Sequence, residues 1–542
     1  MYTLKNISIT SCLLVLTFCI LSLTSCKHEK TTWQDDLVAP LATGNLTLGS
    51  LFPDTVIKTN SDSSLVIAFN TNLINYQLDS LLKIPDTSVV TVSTNTIGIE
   101  IPLAPGRQLL TTNASTTYNL PNGIQLRKAI VKQGKVRVSM YNSTRDTLVY
   151  LFQLPSATKS GAVLSQTFTI PKSVSGMPGK LTAFLDLSGY TIDFTGSGNQ
   201  VNTVIQTGTV SVSTIAHKDS MDLNQGLIDT FLFQSIVPQY ALGYFGNQSI
   251  TVGPDTTSFN VFNSIKKGIL NLNSASVVLT VNNQFGVDMK ADISNLSSIN
   301  TNNPSVVTLT YTGVPLGNLQ VNQGIDHNGP NNPVVNVSPS TKTITLNNNN
   351  SNVAAFIGNL PGRLSYKLTA QINPFGNISF NNDFGYYGTS FSANLNMNVP
   401  LYFSASNLML ADTVSINLSG VNQLQNINKG NLILTATNSY PFSINLTATL
   451  LDANKQSLGG LITSPGLIQV PALDANGKVI SPQQSKLYIP LTSQKISALQ
   501  RATYVTYTAT FNTANQPNQV KFYSNYTLGL LLTADVNYTV GK

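Results

Sequence analysis

Three histidines, His28, His217 and His327, are the whole imidazole complement of the 542-residue chain. A serine triad needs only one. His217, in His217-Lys218-Asp219-Ser220, and His327, in Asp326-His327-Asn328-Gly329, therefore keep a hydrolase reading open. Both stretches read as exposed turns, and no Ser sits in a Gly-x-Ser-x-Gly elbow. A zinc site would have to join His217 and His327 through Asp ligands, without the paired-His spacing such sites use. No loop has calcium-ligand spacing and no glycine loop suits a phosphate. The residues thus name no catalytic group, no metal ligand and no cofactor.

The acids are 21 Asp and only two Glu, Glu29 and Glu100. Glycoside cleavage needs two carboxyl groups facing one bond. Glu100 alternates with Ile97, Ile99 and Ile101, so it faces away from their apolar side. Asp186 and Asp193 flank Ser188-Gly189, the composition of a hairpin tip. All three cysteines, Cys12, Cys19 and Cys26, fall in the first 26 residues. The rest of the chain has no disulfide and no thiolate chemistry.

Residues that could recognise rather than react are more plentiful. Aromatic clusters occur at Tyr240, Tyr244 and Phe245, at Phe384, Tyr386 and Tyr387, and at Phe522, Tyr523 and Tyr526. Tyr386, Tyr387, Tyr523 and Tyr526 are the candidates for a sugar-stacking surface; packing inside a core is the alternative. The densest basic run is Arg127, Lys128, Lys132, Lys135 and Arg137. It suits protection of a strand edge or attraction of an anionic glycan. No nucleic-acid motif accompanies it, so nucleic acid is not an expected partner. Nine of the 21 Asp are followed by Ser or Thr, a turn-forming pair. Six continue as the Bacteroidota O-glycosylation pattern does, and that resemblance implies sugar on Thr55, Ser80, Thr147, Ser220, Thr256 and Thr413.

The start carries an address. Lys5 gives a short positive region, and Cys12 to Leu23 is a mostly apolar run too short to span a bilayer as a helix. Leu23-Thr24-Ser25-Cys26 then resembles a bacterial lipobox, which implies cleavage before Cys26 and lipidation of that cysteine. The stretch Trp33-Gln34-Asp35-Asp36-Leu37-Val38-Ala39-Pro40-Leu41 resembles the start of a group of exported Bacteroidota lipoproteins to which no activity is attached. That resemblance implies an outer-membrane lipoprotein on the periplasmic or cell-surface side, with the membrane as partner through its anchor.

The elements that must position these residues are strands. Charged residues are only 10% of the chain and Asn reaches 59 residues, while Thr, Val, Ile and Tyr are abundant. Such a composition favours strands and turns over helix. Val136, Val138, Met140 and Asn142 share one strand face. Val277, Leu279, Val281 and Asn283 repeat that phase, as do Leu432, Leu434, Ala436 and Asn438. Each run follows an opener: Val131-Lys132-Gln133-Gly134, Ile265-Lys266-Lys267-Gly268 or Ile427-Asn428-Lys429-Gly430. A second alternating strand follows each Asn, whose amide should bond the connecting backbone. Another block, Pro178-Gly179-Lys180-Leu181-Thr182, returns as Pro361-Gly362-Arg363-Leu364-Ser365, with a looser match near Arg501.

Strands with one apolar face must bury it against a second sheet. The expected fold is therefore all-β, with tandem antiparallel β-sandwich modules, Ig-like or related, behind a lipoprotein signal. The expected divisions are a signal at 1–25, a tether at 26–36 and an N-terminal β region at 37–123. Modules follow at 124–262, 263–423 and 424–542. One short helix is expected near Tyr76 to Leu82. The stretch Thr437 to Leu450 resembles the plant desiccation-protein sandwich domain over about 15 residues, too few to carry a role. In plan, though not in motif, the chain resembles accessory glycan-binding lipoproteins of Bacteroidota. That leads to a non-catalytic envelope protein presenting a binding or structural surface to a glycan or another envelope protein. A pilin or adhesin stalk assembled by strand donation, and a secreted hydrolase, are the rival expectations.

Overall fold

The computed structural model describes residues 33–47, 52–53, 55–82, 84–215, 217, 219–313, 315–329, 332–417, 427–475, 477–513 and 519–540. The signal, Cys26 and most of the tether lie outside them. The fold is all-β, and its strands form three sandwiches that share one plan.

In the first sandwich one sheet runs Thr87–Thr94, Gly226–Tyr244, Gln125–Asn142, Gly179–Asp186. The other runs Gln108–Thr117, Thr203–Val212, Leu148–Lys159, Ala162–Ile170. Phe152 and Phe231 stack between the two sheets at 4.3 Å. A short strand, Thr191–Asp193, pairs with one strand of each sheet and closes a side. The second sandwich repeats the order with Leu65–Gln77, Ser390–Pro400, Ser276–Asn283, Ser340–Asn347. Its facing sheet is Gln248–Ser258, Arg363–Ile372, Met289–Asn300, Ser305–Thr308. The third uses Trp33–Thr47, Thr527–Val540, Ile427–Asn438, Gln483–Pro490 against Tyr402–Ser415, Tyr504–Thr513, Phe442–Leu451, Ser457–Ile468.

The expected divisions do not follow these sheets. The N-terminal β region at 37–123 is not a unit, because its strands are shared among all three sandwiches. Trp33–Thr47 serves the third, Leu65–Gln77 the second, and Thr87–Thr94 and Gln108–Thr117 the first. Gln248–Ser258, expected in the first module, is an edge of the second sandwich, and Tyr402–Ser415, expected in the second, is an edge of the third. The second and third sandwiches are thus each completed by a strand from far upstream, Leu65–Gln77 and Trp33–Thr47, whereas the eight strands of the first run continuously from Thr87 to Tyr244. A contiguous apolar core runs through all three.

The strand phases follow from period two. Val136, Val138 and Met140 are buried while Lys135, Arg137 and Tyr141 are exposed. The apolar set must leave water together, which fixes the register. Asn142, Asn283 and Asn438 each end the corresponding strand, fully buried. Their side-chain oxygens accept the N–H two residues on, from Thr144 (2.8 Å), Phe285 (3.0 Å) and Tyr440 (2.9 Å). Their amide groups donate to the carbonyl four residues on, at Asp146 (2.8 Å), Val287 (2.7 Å) and Phe442 (2.9 Å). Each also reaches a distant loop, at Pro171 O (3.1 Å), Asn322 O (3.0 Å) and Gln469 O (2.9 Å). One side chain therefore satisfies three backbone groups that a buried turn would leave unpaired.

The Pro-Gly block is not equivalent in its two copies. Gly179–Asp186 pairs beside Gln125–Asn142, whereas Arg363–Ile372 pairs beside Met289–Asn300 in the opposite sheet. The topological partner of Arg363–Ile372 is Tyr504–Thr513, after Arg501. A short helix precedes each of these two, Val353–Gly358 and Ser493–Leu499. The opener also diverges: in the second sandwich it starts a separate strand, Lys267–Leu272, paired with Tyr402–Ser415. The expected short helix occupies Leu78–Leu81.

Candidate binding surface

The two histidines expected in turns are both exposed. His327 Nε2 lies 2.8 Å from Ser338 Oγ on a small hairpin that pairs Ile325–Asp326 with Val337–Ser338. The carboxylate a triad would need is engaged elsewhere. Asp326 Oδ2 accepts from the Tyr386 hydroxyl at 2.8 Å and Oδ1 from Asn328 N at 2.9 Å. The His217 backbone N–H donates to Asp146 Oδ1 at 3.1 Å. Among the described residues no group of three or more His, Cys, Asp or Glu could hold a metal ion.

Asp186 and Asp193 each close their own turn. Asp186 Oδ1 accepts from Ser188 N (2.9 Å) and Oγ (2.6 Å), and these bonds hold its carboxyl below the usual range. Asp193 Oδ1 accepts from Thr195 N (2.8 Å) and Oγ1 (2.7 Å). Glu100 is exposed. The acids that burial raises were not singled out by sequence reasoning. Asp229 is fully buried on the inner face with Leu227 and Phe231, and loss of water pushes its carboxyl up to about 7. The Thr91 side chain draws it slightly back down, but neither carboxyl oxygen has a partner in strict hydrogen-bond geometry. The nearby Tyr150 hydroxyl is buried without a partner too. Asp383 joins the first and second sandwiches: its Oδ2 accepts from Phe245 N (2.9 Å) and Asn373 Nδ2 (2.7 Å). Both acids are sealed from solvent and face core atoms rather than a cleft. The signal for Asp229 was its phase, since it alternates with Leu227, Phe231 and Phe233.

The four tyrosines expected to form a stacking surface are not on one face. Tyr386 is buried against Tyr240, with ring centroids 4.8 Å apart, beneath the hairpin that carries Val337. Tyr526 is buried in an aromatic cluster with Tyr440 and Phe522, and its hydroxyl accepts from Val479 N at 3.0 Å. Tyr387 is partly exposed under Lys132 Nζ, 3.0 Å from the ring centroid. Tyr523 is half-buried, with Lys478 Nζ 4.8 Å from its centroid. Tyr386 and Tyr526 are therefore withdrawn as surface residues, because neighbouring elements cover the faces their strands present.

The hydroxyls expected to carry sugar divide as well. Thr55, Ser80, Thr256 and Thr413 are exposed, although Thr413 Oγ1 shares a 2.8 Å hydrogen bond with Thr506 Oγ1. Thr147 and Ser220 are half-buried. The Asp146 preceding Thr147 is buried, its carboxylate accepting from His217 N and, at 3.3 Å, Asp219 N. Asp146-Thr147, where sugar was expected on Thr147, is a packed joint.

A different face gathers chemistry on the surface: the outside of the sheet Thr87–Thr94, Gly226–Tyr244, Gln125–Asn142, Gly179–Asp186. Register sets its side chains in cross-strand rows. Val92, Ile228, Tyr141 and Lys180 form one row; Ser88, Leu232, Arg137 and Phe184 form another; Lys135 stands opposite Asp186. Tyr141 is 42% exposed and Phe184 59%. Lys180 Nζ lies 5.7 Å from the Tyr141 centroid and Lys135 Nζ 5.4 Å from that of Phe184. Lys135, Arg137 and Lys180 are all exposed, and the ion pairs found among the described residues lie elsewhere. Two of the five residues of the basic run, Lys135 and Arg137, thus join aromatic rings that sequence reasoning had not placed beside them. Tyr141 was visible in the strand pattern, but Phe184 comes from a strand 40 residues downstream.

No protein-family model matches the chain, and no curated protein does. Among solved structures, a candidate secreted protein from Parabacteroides distasonis aligns over 92% of this chain and 99% of its own, at 8% identity and a TM-score of 0.26. No helix among the described residues is long and apolar enough to cross a membrane.

Proposed function

We propose that this chain is a non-catalytic, lipid-anchored protein of the bacterial cell envelope, and that the outer face of its first sandwich binds an anionic polysaccharide. The observation that carries the reading is the grouping of exposed Tyr141 and Phe184 with Lys135, Arg137 and Lys180 on one sheet face. Exposed rings offer flat faces to sugar C–H groups, and unpaired cations beside them attract uronate, sulfate or phosphate. The shared plan of the three sandwiches supports reading them as copies of one module, with the second and third as scaffold. The lipobox-like Leu23-Thr24-Ser25-Cys26 supplies the anchor in this reading, on an outer-membrane lipoprotein facing the periplasm or the cell surface.

Two experiments test it. Cys26→Ala should abolish incorporation of radiolabelled fatty acid; unchanged labelling removes the anchor. In affinity electrophoresis the chain should be retarded by polygalacturonate and not by dextran, with the retardation weakening as salt rises. Exchanging Lys135, Arg137 and Lys180 for Glu should reduce binding at least tenfold while leaving the circular dichroism spectrum unchanged. Equal retardation of the triple variant would refute the surface.

A further inference from the structure

The three sandwiches place one strand each at the same sheet edge, next to Gly226–Tyr244, Ser390–Pro400 or Thr527–Val540. Unpaired strand edges template association, so proteins cover them, charge them or break them with Pro and bulges. In the second sandwich, Ile57–Thr59 pairs onto Leu65–Gln77 and covers part of it. In the third, Trp33–Thr47 carries Asp35, Asp36 and Pro40 and shifts register between Pro40 and Ala42. The first sandwich has none of these devices. Its edge, Thr87-Ser88-Val89-Val90-Thr91-Val92-Ser93-Thr94, has no charge, no Pro and no bulge, and Gly226–Tyr244 is its one hydrogen-bonded neighbour among the described residues.

We propose that this edge pairs antiparallel with the same edge of a second copy of the chain, joining two four-stranded sheets into one of eight strands. The backbone fixes how. Asn95 N donates to Gln225 O at 2.8 Å, in register with the pairing that runs Thr94 opposite Gly226. Bonding alternates along an antiparallel strand. Odd-numbered residues therefore face Gly226–Tyr244, and Ser88, Val90, Val92 and Thr94 turn their N–H and C=O groups outward. A two-fold axis at Thr91 sets Val90 opposite Val92 of the other copy, twice, so both pairs exchange hydrogen bonds. Such an interface is isologous and closes at two chains. It also gathers apolar surface that is now wet: Val90 is 58% exposed, Val92 61% and Ile228 40%, all on the outer face. Four valines meet across the axis with an Ile228 flanking each side. No like charges oppose one another, because the strand carries none; Asp86, just before it, falls opposite Thr96 of the other copy. Two other edge strands of the sandwich also carry no charge, but each is broken by a register shift and shows one large exposed apolar side chain, Leu110 on Gln108–Thr117 and Val163 on Ala162–Ile170.

The proposal does not depend on glycan binding, and its test uses no ligand. Light scattering on the full chain in detergent should give twice the protein mass of one chain, falling toward one on dilution. Val90→Lys and Val92→Lys, each at an exposed position, should give one chain at every concentration with unchanged circular dichroism. Val38→Lys, at an exposed position on the protected edge of the third sandwich, should remain a dimer. In a background with Cys12, Cys19 and Cys26 all replaced by Ala, Thr91→Cys should form an intermolecular disulfide under mild oxidation, since Thr91 meets itself on the axis. A chain that stays monomeric at high concentration overturns the proposal. So does a dimer that survives Val90→Lys and Val92→Lys.

Discussion

The first and third sandwiches are built to the same strand order, yet they treat the same core position differently. The buried Asn supplies a common origin for register. Leu227 lies opposite Asn142 and Leu528 opposite Asn438; two residues on come Asp229 in the first and Leu530 in the third. The second sandwich has Ala393 there, two residues after Phe391, which lies opposite Asn283. Two sandwiches thus place an apolar side chain where the first places an acid with no partner in strict hydrogen-bond geometry. The third fills its interior with Tyr440, Phe442, Phe511, Phe522 and Tyr526, packed edge to face and in stacks. It also guards its edge strand with Asp35, Asp36 and Pro40, where the first leaves its own bare. The first sandwich gives up core stability and edge protection, and it is the one whose outer face gathers rings and cations. A plan repeated three times is thus relaxed in the copy whose outer face carries exposed rings and cations.

Asp229 offers the strongest way to break that contrast. In the folded protein its carboxyl stays protonated to about pH 7, whereas in the unfolded chain it ionises from about pH 4 upward. The folded state therefore holds the extra proton between those values, and stability falls as pH rises through that window, by up to about 4 kcal/mol. Asp229→Leu, which copies the third sandwich, should remove that slope and raise stability at pH 7.5. Urea unfolding at pH 4.5 and 7.5 measures both. An unchanged slope would mean that the acid is hydrated and the two cores are alike.

Asn438→Ala sharpens the comparison from the other side, where the two sandwiches agree. Loss of the amide leaves Tyr440 N and the carbonyls of Phe442 and Gln469 unpaired, a cost of roughly 2–3 kcal/mol. Asn142→Ala should cost about as much or slightly more, because the Asn142 side-chain oxygen also accepts from Thr144 Oγ1 at 2.7 Å. Chemical unfolding of the two variants compares them directly. A loss confined to one would show that the turns only look alike.

Much of this architecture is legible in residues. The alternation Val136, Val138, Met140, Asn142 announces a strand with one buried face, and three copies in the same phase announce a shared turn. Pairing across hundreds of residues is not legible in the same way. Nothing local in Trp33–Thr47 says that its partner is Thr527–Val540, because register is set by burial and by the last turn of a distant strand. That is why strands at 37–123 looked like a unit and belong to three. The Pro-Gly block misled for a related reason: Pro-Gly opens any strand after a turn, whichever sheet the strand joins. On the binding side, alternation tells which residues share a face but not what covers it. Tyr386 lies under a hairpin and Tyr526 inside an aromatic cluster, while Phe184 reaches the surface beside Arg137 only through cross-strand register.

In the proposed function the first sandwich is the working surface and the third its support. Lysine acetylation footprinting of the full chain, read by peptide mass spectrometry with and without polygalacturonate, tests it most directly. Lys135 and Lys180 should lose most of their labelling when the polysaccharide is present, while exposed Lys486 and half-buried Lys495, on the third sandwich, keep theirs. Protection of Lys486 and Lys495 with Lys135 and Lys180 still labelled would place binding on the third sandwich instead.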